Sequence, residues 1–189
     1  NTGANNAFFE YELEFETGLQ SDVVADGLKD LVGNQIYIFN QPYGVTVATT
    51  TGNAIDLQLV SGAAADFIEL QETKQFTLNA KTYNIKVLSV DSASKNVRLN
   101  VDGVDLSQMN AGEIQILADG AIIGVTKILQ SSGGTTRDLV GVVLGARALR
   151  IKDSNYLDSD FDENVEMNKV KLQNAYVMIS ASLSGQTLK

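Results

Sequence analysis

The chain has 189 residues, 44% of them hydrophobic, with 23 acidic against 14 basic side chains and a formal charge of −9. It contains no cysteine, no histidine and no tryptophan, which excludes disulfides, thiolate chemistry and zinc sites built from Cys and His, and removes the commonest general base. A chain this acidic repels phosphate backbones and has no basic stripe interleaved with aromatics, so nucleic acid is a poor partner.

The start, Asn1 to Asn6, is polar and lacks an initiator Met; it reads as a mature or trimmed end with any export signal already removed. Residues 8–16, F-F-E-Y-E-L-E-F-E, alternate without a fault. Phe9, Tyr11, Leu13 and Phe15 share one side, and Glu10, Glu12, Glu14 and Glu16 the other. That period is a strand with one charged face, which suits an edge because charge discourages stray pairing. From Ser21 to Gly33 the spacing changes: Val24, Leu28 and Leu31 recur at helical intervals, with Ser21 or Asp22 as a cap and Gly33 as a stop. Gly27 weakens a helix by about 1 kcal/mol relative to Ala, so one or two turns are expected at most.

Ile36 to Phe39 is a compact strand, and Asn40-Gln41-Pro42-Tyr43-Gly44 turns the chain into Val45-Thr46-Val47. Ile55, Leu57 and Leu59 alternate again. From Glu72 onward the alternation dominates: Phe76 and Leu78, then Tyr83, Ile85 and Val87, then Val97, Leu99 and Val101, then Ile114 and Ile116. Turn formers at Asn79-Ala80-Lys81, Asp91 to Lys95, Asp102-Gly103 and Asp119-Gly120 separate these runs, so the segment reads as an antiparallel meander. The phase slips between Val87 and Leu88 and again between Val125 and Ile128, the mark of bulges that curve a sheet.

Ser131 to Thr136 reads as a hairpin loop, after which Leu139–Leu144 and Ala148–Ile151 are strands meeting at Gly145. The longest apolar stretch, Leu139 to Leu149, is short and carries Arg147, so it does not span a membrane. Between Asp153 and Glu166 the composition turns strongly acidic. Val170 and Leu172 continue as strand, and Tyr176 to Leu183 is read as the last one. The expectation is an all-β fold, an antiparallel meander or β-sandwich with curved, bulged strands and at most one short helix near residues 22–32. Residues 1–152 are read as a sandwich-like domain, and 153–189 as an acidic loop with terminal strands that pack on it or lead to a neighbour.

Few residues point to chemistry. Asp158, Asp160, Asp162 and Glu166, in D-S-D-F-D-E-N-V-E, place carboxylates at alternating positions that could converge on calcium, a hard cation needing several oxygens. An EF-hand is excluded, because Glu163 stands where Gly is required and Lys169 where the bidentate Glu belongs. Ser92-Ala93-Ser94-Lys95 matches S-x-x-K formally, but it lies between two strands without the companion motifs and reads as a turn. No pair of carboxylates is singled out for glycoside hydrolysis, and no Gly-rich phosphate loop is present. The residues name no enzyme.

The order of the residues resembles domains of archaeal surface-layer (S-layer) proteins, in particular those of small-genome archaea. The likeness is carried by F-E-Y-E-L-E-F-E, by E-T-K-Q-F-T-L-N-A-K-T-Y-N-I-K-V, by V-R-L-N-V-D-G, by G-E-I-Q-I-L-A-D-G-A-I-I-G-V and by V-V-L-G-A-R-A-L-R-I-K-D. It covers residues 8–152 and extends more weakly to 183. The resemblance implies a structural, extracellular protein on the cell surface that associates with copies of itself, often with calcium as glue, and without catalytic residues. S-layer proteins are usually longer, and many carry N-glycans, whereas this chain has no Asn-x-Ser/Thr sequon. Under this reading the terminal strands make the lateral contacts, through Phe9, Tyr11, Leu13, Phe15, Tyr176, Val177 and Ile179. The alternative is a filament or pilus subunit in which one such strand completes the next copy.

Overall fold

In a computed structural model, residues 10, 12–14, 19–38, 40–131 and 137–188 are described. The strands follow in order: β1 (Ser21–Val24), β2 (Gly27–Leu28), β3 (Gln35–Ile38), β4 (Gln41–Thr51), β5 (Ala54–Ser61), β6 (Ala64–Glu69), β7 (Thr73–Leu78), β8 (Lys81–Asp91), β9 (Asn96–Val101) and β10 (Val104–Asp105). They continue as β11 (Met109–Asn110), β12 (Ile114–Ile116), β13 (Ile122–Leu129), β14 (Leu139–Gly145), β15 (Arg147–Asp153), β16 (Val165–Met167), β17 (Val170–Lys171), β18 (Leu183–Ser184) and β19 (Thr187–Leu188). The fold is all-β and its named strand pairs are antiparallel; no helix occurs among the described residues.

The described residues form three sheets. The largest runs β17-β16-β15-β5-β4-β2-β1-β19-β18, with β3 also on β4. A second runs β10-β9-β8-β7 with β11 on β9, and the third runs β12-β13-β14-β6. The third sheet lies between the other two. Its Ile123, Val125, Val140, Val142 and Leu144 pack against Phe76, Tyr83, Ile85, Val87 and Leu99 of the second sheet. Its Ile114, Ile122 and Val143 pack the other way, against Val60 and Ala148 of the large sheet. Burial on both faces explains why I-I-G-V and L-V-G-V-V-L are continuous apolar runs where the outer strands alternate. Each such side chain, fully buried, is worth about 1.5–3 kcal/mol. The far face of the large sheet holds another core of Leu28, Val45, Ile55, Leu59 and Tyr156, onto which Ile179 and Ala181 pack.

The bulges fall where the phase of the sequence slips. Register shifts separate Val87 from Ser89 and Val125 from Lys127. A further one between Val45 and Val47 lies in V-T-V, whose alternation gives no sign of it. Tight two-residue reversals close several hairpins with left-handed backbone at both positions: Ala25-Asp26, Asn79-Ala80, Asp102-Gly103 and Asn168-Lys169.

The first of these reversals corrects the expected helical turn near residues 22–32. With φ of 47° and 65° at Ala25 and Asp26, the chain folds back as β1–β2, pairing Val23 with Leu28. Of the apolar side chains that mimic a helical period, the hairpin buries Leu28, and Leu31 packs against the same core, while Val24 stays exposed. A second correction concerns Tyr176 to Leu183. Val177 makes an isolated bridge to Asp162 and only Leu183 joins a ladder, in β18. The stretch between joins no strand among the described residues, with Val177, Ile179 and Ala181 half-buried and Tyr176, Met178 and Ser180 exposed. Beyond residue 153 the chain joins the large sheet as two hairpins, β16–β17 against β15 and β18–β19 against β1.

Candidate functional site

The large sheet has one face that sheet packing covers only in part. Cross-strand neighbours on that face form the row Gln58, Arg150, Glu166 and Lys171, one residue from each of β5, β15, β16 and β17. Arg150 is fixed by a two-pronged pair with Asp56, Nε to Oδ1 at 2.9 Å and Nη2 to Oδ2 at 2.7 Å. Lys152 Nζ stands 3.8 Å from the same carboxylate. The guanidinium is held still more firmly protonated by Asp56, with a smaller contribution from Glu166. Buried Gln58 donates through Nε2 to Thr46 Oγ1 at 2.8 Å and to the Gly112 carbonyl at 2.9 Å, tying the β11–β12 loop down. A cleft of about 440 Å³ opens here, lined among others by Glu113, Gln115, Arg150, Glu166 and Lys169. Along the row Arg150, Glu166 and Lys171 alternate in sign, so each charged cross-strand pair is a favourable one.

The opposite face carries a matching apolar row: Val45, Leu59, Leu149, Met167 and Val170. Leu59 is 1% exposed, yet Val170 at the end is 66% exposed, because β17 is the last strand on that side among the described residues. The β17 backbone is open as well. Leu172 N donates to Val165 O at 2.9 Å, so by the alternation of an antiparallel ladder Lys171 turns its N–H and C=O away from β16.

A separate polar cluster joins the second and third sheets. Asp119, in the turn before β13, accepts the Tyr83 hydroxyl at 2.7 Å and the Ala121 amide at 3.1 Å, and pairs with Lys81. Lys81 Nζ also sits 4.4 Å from the centre of the Tyr83 ring. Lys81 first, then the Tyr83 hydroxyl and the Ala121 amide, hold the Asp119 carboxyl well below the usual carboxylate range. Burial, followed by the bond to Asp119, pushes the Tyr83 hydroxyl up.

The acidic loop uses its carboxylates locally. Asp158 accepts the Asp160 amide at 3.0 Å and the Asn155 side-chain amide at 2.6 Å. Asp162 accepts the Ser154 amide, and Glu163 the Asn174 amide. Glu166 lies on β16, facing Arg150 across the ladder. Among the described residues no three acidic side chains come together as a metal-holding group.

Of the expected contact residues, Phe9, Tyr11 and Phe15 lie outside the described residues. Leu13 and Tyr176 are exposed, at 38% and 43%. Val177 and Ile179 are half-buried within the chain; the Ile179 amide donates to Asp153 at 2.6 Å. Ser92 to Lys95 forms a turn, with Asp91 accepting the amides of Ala93 and Ser94. The Arg150–Asp56 pair and the β17 edge escape sequence reading. Asp56 and Arg150 lie on strands far apart in the chain, and although Val170 and Leu172 read as strand, alternation does not say that this strand ends a sheet.

Comparison with known proteins gives no matching family model, no matching curated protein and no matching solved structure.

Proposed function

We propose that this chain is a structural subunit that assembles with copies of itself outside the cell, forming a surface layer through lateral contacts between β domains. The observation that carries the reading is the open end of the large sheet, where Val170 is 66% exposed beside outward-facing backbone at Lys171. Unpaired edges bearing apolar side chains template another chain unless something blocks them. The S-layer resemblance of the sequence supports the same role and the same location at the cell surface. A filament built by strand addition draws on the same edge and is the second reading.

Negative-stain microscopy of concentrated protein separates them, with sheets expected from a layer and fibres from a filament. A protein that stays monomeric at every concentration, with and without calcium, removes both. Calcium is an arm of the same experiment, since Asp158 and Asp162 would have to turn from their amide donors to bind it. Assembly that dissolves on chelation in the parent chain, and no longer responds to calcium in Asp158→Asn/Asp160→Asn, supports calcium as glue. Assembly indifferent to chelation removes it.

A further inference from the structure

We infer that the edge of β17 receives the Phe8–Glu16 segment of a second copy as an added antiparallel strand, an inference that rests on the self-assembly reading above.

Two cross-strand rows, one polar and one apolar, end at β17. On the polar face the cross-strand order is Arg150, Glu166, Lys171, which is plus, minus, plus. Opposite charges directly across a pair of strands stabilise it and like charges oppose it, so the next strand should place an acid there. On the apolar face the order Leu59, Leu149, Met167, Val170 stops at an exposed side chain, so the next strand should place a large apolar residue there. A strand meeting both demands alternates acid and apolar. Residues 8–16 have that pattern: Glu10, Glu12, Glu14 and Glu16 on one side, and Phe9, Tyr11, Leu13 and Phe15 on the other. Within that stretch, the described residues Glu10, Glu12, Leu13 and Glu14 are exposed and belong to no strand.

The other free edges fit this segment less well. β6 carries Asp66 and Glu69, β10 carries Asp105, and β12 follows Glu113, all of which repel glutamates. β3 and β18 carry no charge, and Lys74 of β7 is already paired with Asp66 at 3.0 Å. At β17, Lys171 has only a loose partner, Glu163 at 3.8 Å, and the neighbouring Lys169 has none among the described residues. The copy must be a second one for reasons of reach. β1 and β17 are six steps apart in the strand order, about 29 Å measured across the sheet at about 4.8 Å per strand. The link from Glu16 to Ser21 spans at most about 17 Å.

Because the chain lacks cysteine, single thiols report the contact directly. Val170→Cys protein mixed with Tyr11→Cys, Leu13→Cys or Phe15→Cys protein, under mild oxidation, should give disulfide-linked heterodimers for at least one of the three. Glu12→Cys and Glu14→Cys, on the other side of the strand, should not cross-link, since a disulfide needs Cα atoms within about 7 Å and converging Cβ vectors. Lys169→Glu/Lys171→Glu should weaken association by about tenfold, and adding Glu12→Lys/Glu14→Lys should restore it. Particles that grow with concentration yet show no Val170 cross-link overturn the inference while leaving self-assembly standing. So does a disulfide that closes within one diluted Leu13→Cys/Val170→Cys chain. Absence of any growth removes the self-assembly reading itself.

Discussion

Replacing Gly145 by alanine should destabilise the fold by about 3 kcal/mol, read as a lower urea midpoint with an unchanged slope. Gly145 is the joint at which the chain leaves the middle sheet and enters the large one. A Cβ there would stand 2.4 Å from Val60 Cγ1 and 2.5 Å from the Ser61 carbonyl oxygen. The second of these is backbone in β5, which also pairs with Arg147 and accepts the Ala146 amide, so it cannot step aside without disturbing the ladder. Gly52→Ala makes the control. Gly52 has a left-handed φ of 61° but open space around it, so its cost is the conformational one alone, about 1 kcal/mol. A Gly145 variant no worse than the Gly52 variant would show that the two sheets do not approach as closely as described.

Asp119→Ala should cost about 1–2 kcal/mol and flatten the acid limb of the stability curve. The larger part comes from the Tyr83 hydroxyl, on a residue 5% exposed, which loses its acceptor. The Lys81 pair adds less, because the Asp119 side chain is 34% exposed and solvent screens it. The sign follows from the lowered carboxyl. The unfolded chain binds this proton near the ordinary value of 3.8, and the folded chain binds it only at lower pH. Its contribution is therefore complete above about pH 5 and declines as pH falls through 4 and below. Asp22, Asp66 and Asp91 are also lowered, so a shallower slope should remain in the variant. Denaturation midpoints of both proteins between pH 3 and 7 check this; parallel curves would contradict it.

Much of the fold was legible because it depends on local order. Alternation at Phe76 to Val101 reports one wet face, the phase slips at Leu88 and near Thr126 report bulges, and Gly145 was already visible as a junction. The β1–β2 hairpin was not. Val24, Leu28 and Leu31 mimic a helical period, and Ala25 is an unusual residue for the left-handed backbone that closes the hairpin. The thinning of Tyr176 to Leu183 into an unpaired stretch depends on the Asp162 bridge and on the Asp153 carboxylate, two contacts that alternation does not encode. The acidic loop shows the same limit. Asp158 and Asp162 stand at spacing suited to a cation, but spacing says nothing about whether backbone amides of the same loop claim them first.

Hydrogen exchange at the β17 edge tests the account most directly. The outward amide of Lys171 has no ladder partner among the described residues, so in dilute solution it should exchange fast. A peptide covering residues 168–173 should slow by about tenfold or more as concentration is raised until the particle mass grows, while the exposed turn at Asp91 to Lys95 keeps its rate. Growth in mass with no change at residues 168–173 would show that copies meet somewhere other than this edge.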